Sequence, residues 1–380
     1  MLSRIQFLCQ LGVKIILTPF CKILIMFKQV ESKLAGYLKS VGLQFHPFDK
    51  LEASVDPRLN SYLIGHEAAE EAWKSKDCSL VGESGSGRTA IAEGLLYNCR
   101  VGSDTTEIFP ILLRQNDRAS GQLPERSAAI EALLQLAYQP GKFEVLSDKD
   151  RTDLVGSIES AAPGILDYFL PKILREGSHL PIVKFADPPA ETLPNYPDQS
   201  RARKVAKQMQ RLSQPEKLIG RSSPSILDII PGIFGLKEIK LIADFSAAPD
   251  QKQLAELDGL RDRLSQRSSV SKVILAPAKP ESGGQETILI NWYSDQLINV
   301  LRSRMRTASG GDFDSFDAIS DPGLMNTEEQ IFEQTADRGH RTPRAVVSLA
   351  KTLLELQAQS GDKQLINSET FQEAVKKEFA

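Results

Sequence analysis

Apolar residues along this chain occur in two patterns that alternate. Short unbroken apolar runs bounded by turn-forming residues predict buried β-strands at residues 78–81, 105–114, 238–245, 271–276 and 286–292. Longer stretches with apolar residues at helical spacing separate these runs and continue to the end of the chain. The second strand contains Pro110, which cannot donate a hydrogen bond in a sheet, so we expect this strand at an edge or a bulge.

The helical pattern is concentrated in the middle and at the end of the chain. Helices are expected at residues 27–41, 66–73, 89–97, 124–138, 150–160, 162–174, 201–212, 250–265, 295–307, 326–337, 343–357 and 368–379. Residues 117–236 form a long helical insertion between strands, interrupted by a proline-rich loop at 180–198. The alternation predicts an α/β fold, a three-layer sandwich around a mostly parallel sheet, followed by an all-helical domain. The expected units are an N-terminal segment with one helix at 1–44, the α/β domain at 45–307 and the helical domain at 308–380.

The first thirty residues are apolar and basic and contain no acidic residue. Arg4, Lys14 and Lys22 interrupt the apolar runs, so no run approaches the ~18–20 residues of a membrane span. Three interpretations remain open: translated sequence upstream of a true start at Met26, a basic amphipathic helix on a membrane or partner, and a membrane anchor. Outside residues 1–26 we expect no membrane contact.

Composition adds few constraints. Hydrophobic residues make up 41% of the chain and charged residues 25%, as in ordinary globular proteins, and the net charge is −3. This charge gives no overall attraction to nucleic acid, although the basic stretches at 201–211 and 302–306 do not exclude a local contact. The four cysteines lack CxxC spacing, which favours a reducing compartment, the cytoplasm.

A glycine-rich loop follows the first predicted strand and precedes a helix. Its sequence is that of a phosphate-binding P-loop with one change: arginine stands at the lysine position. We expect Gly82, Gly85 and Gly87 to adopt the left-handed, positive-φ backbone in which consecutive N–H groups face an anion, and the helix start adds its positive dipole end. The predicted nucleotide-binding residues are Gly82, Glu83, Ser84, Gly85, Ser86, Gly87, Arg88 and Thr89.

Two further stretches complete the candidate site. Thr89, with its hydroxyl, and Asp244, at the end of the strand 238–245, are the expected Mg²⁺ ligands. Phe245 follows Asp244 where an active ATPase usually has the glutamate that orients water. Thr342 and Pro343 are good helix-start residues, and they place Arg344 at a helix N-terminus. The helix dipole disfavours a cation there, so a contact between Arg344 and a phosphate would explain its position.

These stretches together resemble the AAA+ and STAND group of P-loop ATPases, especially the branch similar to origin-recognition and NACHT-like modules, with degenerate Walker A and Walker B motifs. The likeness extends over about residues 59–380. It implies that Ile64 and Gly65 line an adenine pocket, with His66 where arginine is usual, and that Arg344 occupies the sensor-2 position. No clear sensor-1 residue follows the strand at 271–276, and the long insertion does not match a minimal AAA+ core.

The resemblance implies ATP and Mg²⁺ as ligands and leaves three functions open. The first is a nucleotide-binding switch with slow or absent hydrolysis, since two catalytic features are changed. The second is an ATPase completed by self-association or by a partner, with Arg302, Arg304 or Arg306 as the arginine supplied. The third is a non-enzymatic interaction protein with a vestigial loop, which contacts a membrane or nucleic acid through its basic segments. Separately, the helical insertion is either a decoration of the fold or a surface for a protein partner.

Overall fold

The structure is a computed structural model. It describes residues 31–53, 56, 58–101, 107–114, 123–176, 199–214, 223–266, 268–280, 286–360 and 365–380. The N-terminal stretch 1–30 and the predicted loop at 180–198 lie outside these ranges. None of the helices within them combines the length and apolarity needed to cross a bilayer.

Five parallel strands form one sheet in the order β2-β3-β4-β1-β5. Their bounds are Asp77–Val81 (β1), Ile108–Arg114 (β2), Glu238–Asp244 (β3), Ser269–Ala276 (β4) and Glu286–Leu289 (β5). β2 forms one edge of the sheet, which confirms the expectation from Pro110. The last strand ends at Leu289, three residues earlier than predicted, so Trp292 lies in the connection after the strand.

The helices surround the sheet and then continue as a separate group. They are 31–40 (α1), Leu59–Tyr62 (α2), Glu67–Lys74 (α3), Arg88–Val101 (α4), Leu123–Tyr138 (α5), Gly141–Glu144 (α6), Asp148–Ala161 (α7), Ile165–Glu176 (α8), Gln199–Leu212 (α9), Ile226–Phe234 (α10), Gln251–Ser265 (α11), Ser294–Ala308 (α12), Thr327–Ala336 (α13), Pro343–Gln359 (α14) and Ser368–Glu378 (α15). A 3₁₀ turn, Phe316–Ile319, precedes α13.

Both faces of the sheet are covered, because side chains on each strand alternate between two apolar clusters. On β3, Leu241 and Ala243 belong to a cluster with helices α5–α11. Ile242, between them, belongs to the opposite cluster, which packs against α3 and α4. The chain therefore forms the predicted α/β sandwich of three layers, with the glycine loop between β1 and α4 as in P-loop nucleotide-binding proteins.

The predicted insertion is helical wherever the structure describes it. Helices α5–α10 lie between β2 and β3 in sequence and pack on the same face of the sheet as α11. Gly235 ends α10 with a left-handed backbone, which returns the chain to the sheet at β3. The insertion thus extends one layer of the sandwich.

A third apolar cluster joins the start of the described chain to its end. Phe48 is completely buried and stacks on Phe316, with ring centroids 5.5 Å apart. The same cluster contains Tyr37 and Leu38 of α1 together with residues of α12, α14 and α15. The predicted domain boundaries stay a prediction, but the packing joins residues 37–48 to the C-terminal helices.

We predict that Phe48→Ala lowers the free energy of unfolding by about 3–5 kcal/mol, because a large fully buried ring leaves a cavity. Urea denaturation of the full chain measures this change. Phe48→Leu, which keeps most of the volume, should cost clearly less. Val145→Ala, at a side chain that is 83% exposed, is the control and should cost under about 0.5 kcal/mol. A Phe48→Ala loss no larger than that of the control would contradict the packing described.

Candidate functional site

The glycine loop has the backbone that its sequence predicts at two of its three glycines. Gly85 and Gly87 both have φ of +87°, a left-handed conformation that side chains disfavour. Gly82 does not have a positive φ, so the expectation for it was wrong. Glycine is needed at position 82 for a steric reason instead. An added Cβ would overlap the Ser86 hydroxyl and lie 3.1 Å from Ile290 Cβ.

The two predicted magnesium ligands are in contact. Thr89, in the first turn of α4, donates its hydroxyl hydrogen to Asp244 Oδ2 at 3.0 Å. Asp244 is the last residue of β3, so the contact lies at the carboxyl edge of the sheet beside the glycine loop. No cluster of three or more His, Cys, Asp or Glu suited to a metal occurs among the described residues. Mg²⁺ commonly needs only one or two protein oxygens besides phosphates and water, so these two residues fit it.

Arg88 occupies the lysine position of the loop but is directed to the end of β3. Its Nη1 donates to the carbonyl oxygen of Phe245 at 2.8 Å. Partial burial lowers the pKa of Arg88, and the nearby Asp244 carboxylate opposes that shift. A carbonyl acceptor neutralises no charge, so the guanidinium remains a cation beside the loop.

Trp292 supports the glycine loop from the other side. Its indole Nε1 donates to the carbonyl oxygen of Ser86 at 2.7 Å. Its ring also packs against His66, with centroids 4.5 Å apart. The His66 Nδ1 accepts from the Ala68 N–H at 3.0 Å, and its Nε2 lies 3.1 Å from the Asn291 carbonyl oxygen. Both ring nitrogens are therefore used in capping α3 and holding the Trp292 connection.

The first turn of α14 lies directly on the glycine loop. The backbone N–H of Arg344 points to the Gly85 carbonyl oxygen at 3.4 Å. A Cβ at Gly85 would lie 2.9 Å from Arg344 Cβ, so glycine is also needed for this approach. Thr342 caps the helix by accepting from the Ala345 N–H, as predicted, and Pro343 follows it. The C-terminal helices thus contact the loop through backbone atoms.

A cavity of about 410 Å³ lies between the loop, the end of β3 and the C-terminal helices. Among its lining residues are the predicted Ile64, Ser84, Gly85, Gly87, Arg88, Thr89, Asp244 and Arg344. The remaining predicted residues, Gly65, Gly82, Glu83 and Ser86, do not line it. The volume lies within the ~300–1,000 Å³ typical of small-molecule sites.

The lining of the cavity combines apolar and charged residues. The apolar ones are Leu51, Leu59, Tyr62, Leu63, Ile64, Val300 and Val347. Among the charged ones, four are arginines, Arg88, Arg114, Arg304 and Arg344, and two are carboxylates, Glu52 and Asp244. This excess of positive charge favours an anionic ligand.

Trp292, Arg114, Leu51 and Leu59 were missed from the sequence. Trp292 had no usable signal, because its apolar ring continues the pattern of the strand predicted at 286–292. Arg114 had one, because the last residue of a parallel strand lies at the carboxyl edge where ligands bind. Leu51 and Leu59 lie in the turn-rich segment before α3, and no pattern there indicates a pocket.

A buried charge cluster lies behind the cavity. Glu93 of α4 is 1% exposed and forms an ion pair with Arg114. Burial raises its pKa to about 7, although Arg114 and Arg100 act in the opposite direction. Arg100 is itself paired with the buried Glu131, with Nε–oxygen distances of 3.0 and 3.1 Å.

Comparisons with known proteins do not assign this chain to a family. No protein-family model matches it, and no curated protein matches it. Among solved structures, it is similar to the Orc1 protein of Aeropyrum pernix in complex with DNA, at 16% identity and a TM-score of 0.36. That likeness covers 87% of this chain and 67% of the other. A TM-score this low does not by itself establish a shared fold.

We predict that Glu93 makes the protein less stable as pH rises from about 4.5 to 7. The folded-state pKa is higher than the unfolded one, so in this window the folded state binds more protons. Its stabilising contribution is complete below pH 4.5 and is lost as pH rises through 7. Glu93→Gln should remove this dependence. Between pH 5 and 8, the variant should gain about 2 kcal/mol relative to the natural protein, measured by urea denaturation. Parallel stability curves would contradict the prediction.

Proposed function

We propose that this protein is an ATP–Mg²⁺-binding switch of the AAA+/STAND type that hydrolyses ATP slowly or not at all. The observation that carries the proposal is the contact between Thr89 and Asp244 beside the glycine loop. These residues are 155 positions apart in sequence, and they combine a hydroxyl and a carboxylate where a phosphate-bound Mg²⁺ needs them. The glycine loop supplies the phosphate-binding backbone next to them.

The shape of the cavity supports a nucleotide as the ligand. Its apolar lining residues have the chemistry for a base, and its arginines have the chemistry for phosphates. Adenine suits an apolar pocket better than guanine, because guanine adds a carbonyl and a ring N–H that require hydrogen-bond partners. We therefore propose ATP as the nucleotide, with Ile64 beside the base and Arg344 beside the phosphates.

Weak hydrolysis is proposed because the described lining of the cavity offers no water-orienting carboxylate next to Asp244. Among the described residues that line the cavity, the only carboxylates are Glu52 and Asp244. Asp244 is needed for the metal, and Glu52 lies in the segment before α2, not at the sheet edge. Phe245 follows Asp244 and is fully buried. Phosphoryl transfer depends on positioning and electrostatics, so the loss of a water-orienting group costs orders of magnitude in rate.

The alternative of an ATPase completed by a second subunit has limited support. Arg302 and Arg306 are partly exposed and form ion pairs with Glu329 and Asp314, and such exposed pairs break at little cost. Arg304 is unsuitable as a donor to a neighbour. It is buried, stacks over Tyr62 and donates to the Pro47 and Lys50 carbonyl oxygens. Arg302 and Arg306 are therefore the arginines to test as groups supplied to a neighbouring subunit.

For the insertion, we propose a basic surface that binds an anionic partner. Arg203, Lys204, Lys207 and Arg211 lie exposed along α9, whose other face is apolar and buried. Such a face fits an acidic protein or a nucleic-acid backbone, and it is also compatible with simple solvation. Binding to DNA is a property printed for the Aeropyrum Orc1 complex. For this chain it is a hypothesis.

We predict that the purified protein binds ATP in Mg²⁺, and that Thr89→Ala and Asp244→Asn each weaken this binding at least about tenfold. Isothermal calorimetry measures the affinity, with GTP titrated in parallel. In EDTA the natural protein and both variants should bind ATP alike, because no metal is present for the two side chains to hold. Thr152→Ala and Asp262→Asn, on α7 and α11, are the matched controls. No binding of either nucleotide would leave the vestigial-loop alternative in place.

We predict that turnover of ATP by the purified protein is slow at every protein concentration. Phosphate release measures the rate, and Arg88→Lys and Arg88→Ala test the role of the substituted position. A rate that is restored by lysine would show that Arg88 limits an otherwise intact site. A rate per molecule that rises steeply with protein concentration, and falls in Arg302→Gln or Arg306→Gln, would support the subunit-completed ATPase instead. Fast turnover abolished by Asp244→Asn would refute weak hydrolysis.

A further inference from the structure

Arg114 places a cation beside the two magnesium-site residues. It is the last residue of β2 and is paired in register with Asp244, the last residue of β3. Its side chain lines the same cavity as Thr89 and the glycine loop. A guanidinium at this position can therefore reach a ligand held by the loop.

The position of Arg114 in the sheet indicates which part of a nucleotide it would meet. The strand order is β2-β3-β4-β1, so Arg114 lies beyond Asp244 when counted from the strand that carries the glycine loop. Thr89 and Asp244 would hold Mg²⁺ against the outer phosphates of a nucleoside triphosphate whose inner phosphates lie in the loop. Arg114, next to Asp244 and farther from the loop's strand, would then be close to the terminal phosphate.

The donors of Arg114 are only partly used. One terminal nitrogen pairs with Glu93, one helical turn beyond Thr89 on α4. Its Nε is buried and has no hydrogen-bond partner among the described residues. Arginine presents its donors as a rigid fork that matches a phosphate with two hydrogen bonds. Arg114 lines the cavity, and its present pairing leaves the Nε without a partner in the described part of the chain, which is consistent with a second, phosphate-bound arrangement of the guanidinium.

Glu93 is a partner that can release Arg114. The charged groups around Glu93 are Arg114 on β2, Arg100 on α4, Glu131 on α5 and Asp244 on β3. Burial opposes its ionisation and raises its pKa to about 7, so near neutral pH the carboxyl is held between two protonation states. If Arg114 leaves, Glu93 can take a proton and become neutral, so breaking the ion pair costs little free energy. The terminal phosphate, with up to two negative charges, is the stronger partner.

We propose that Arg114 contacts the terminal phosphate of the bound nucleoside triphosphate, leaving Glu93 to do so, and thereby makes the site prefer triphosphate to diphosphate. The proposal rests on the proposed nucleotide function. It concerns binding selectivity and requires no hydrolysis. When no terminal phosphate is bound, the ion pair between Arg114 and Glu93 links β2 to α4. Binding of the terminal phosphate breaks this ion pair, so its presence is transmitted to both elements.

The test compares affinities for a non-hydrolysable ATP analogue and for ADP, both in Mg²⁺, by isothermal calorimetry. Arg114→Met should weaken binding of the analogue at least about tenfold and change ADP binding less than about twofold. Arg263→Gln, which removes an arginine that pairs with Glu125 and does not line the cavity, is the matched control and should change neither. Glu93→Gln keeps the size of the side chain and frees Arg114, so it should increase the preference for the analogue over ADP.

A double variant separates this role from a purely structural one. If Arg114 serves only to neutralise Glu93, then Arg114→Met combined with Glu93→Gln removes both charges and should restore analogue binding. Our proposal expects thermal stability to recover in the double variant while analogue binding stays weak. Restored analogue binding, or equal loss of analogue and ADP in Arg114→Met, would overturn the proposal. A natural protein that binds neither ligand would overturn the nucleotide function itself.

Discussion

The hydrogen bond between Thr89 and Asp244 is the constraint on which the site depends. It joins the first turn of α4 to the end of β3, although β4 lies between β3 and the strand that carries the loop. The contact requires the loop to turn sharply enough for α4 to begin over the sheet edge. Gly85 and Gly87, both with positive φ, provide that turn. A shift of the loop or of the β3 register would separate the two oxygens that suit Mg²⁺.

Two of the arginines around the cavity share a feature that explains its positive charge. Arg88 donates to a backbone carbonyl oxygen, which satisfies a hydrogen bond without cancelling its charge. Arg304 differs, because it also pairs with the buried Asp56 at 3.5 Å, and its charge is balanced within the protein. Arg114 has a carboxylate partner, Glu93, but burial opposes the ionisation of that partner. Arg88 and Arg114 are therefore held in place while much of their charge stays available. An anion that enters meets donors already oriented, which lowers the entropic cost of binding.

The sequence predicted the sheet well because its strands are buried on both faces. Such strands appear as continuous apolar runs, and Pro110 identified the edge strand before any pairing was known. The end of β5 was placed too late, because Trp292 is apolar like the strand before it and its task is to hold the Ser86 carbonyl. Local pattern does not distinguish a ring that continues a strand from one that supports a loop.

The site could be predicted only where a motif fixes the spacing between residues. The glycine loop was predicted in this way, and Asp244 was predicted as the end of a strand. Arg114 also ends a strand, but its place beside Asp244 depends on the order of the strands, which the sequence does not contain. The glycines show the same limit. Positive φ was predicted for all three, yet Gly82 is required because Ser86 and Ile290 leave no room for a side chain. Steric reasons of this kind become visible only when distant segments are placed together.

The contact between the loop and α14 gives a physical route from ligand to conformation. Gly85 and Gly87 touch Arg344, Pro343 and Trp292, so phosphates bound at the loop lie against the C-terminal helices. A ligand shifts such an arrangement only by the difference in its affinity for two states. The terminal phosphate would provide that difference if arginines from separate elements, Arg114 on β2 and Arg344 on α14, both contact it. A site that draws its cations from the sheet and from the C-terminal helices is suited to sensing a ligand even when it turns the ligand over slowly.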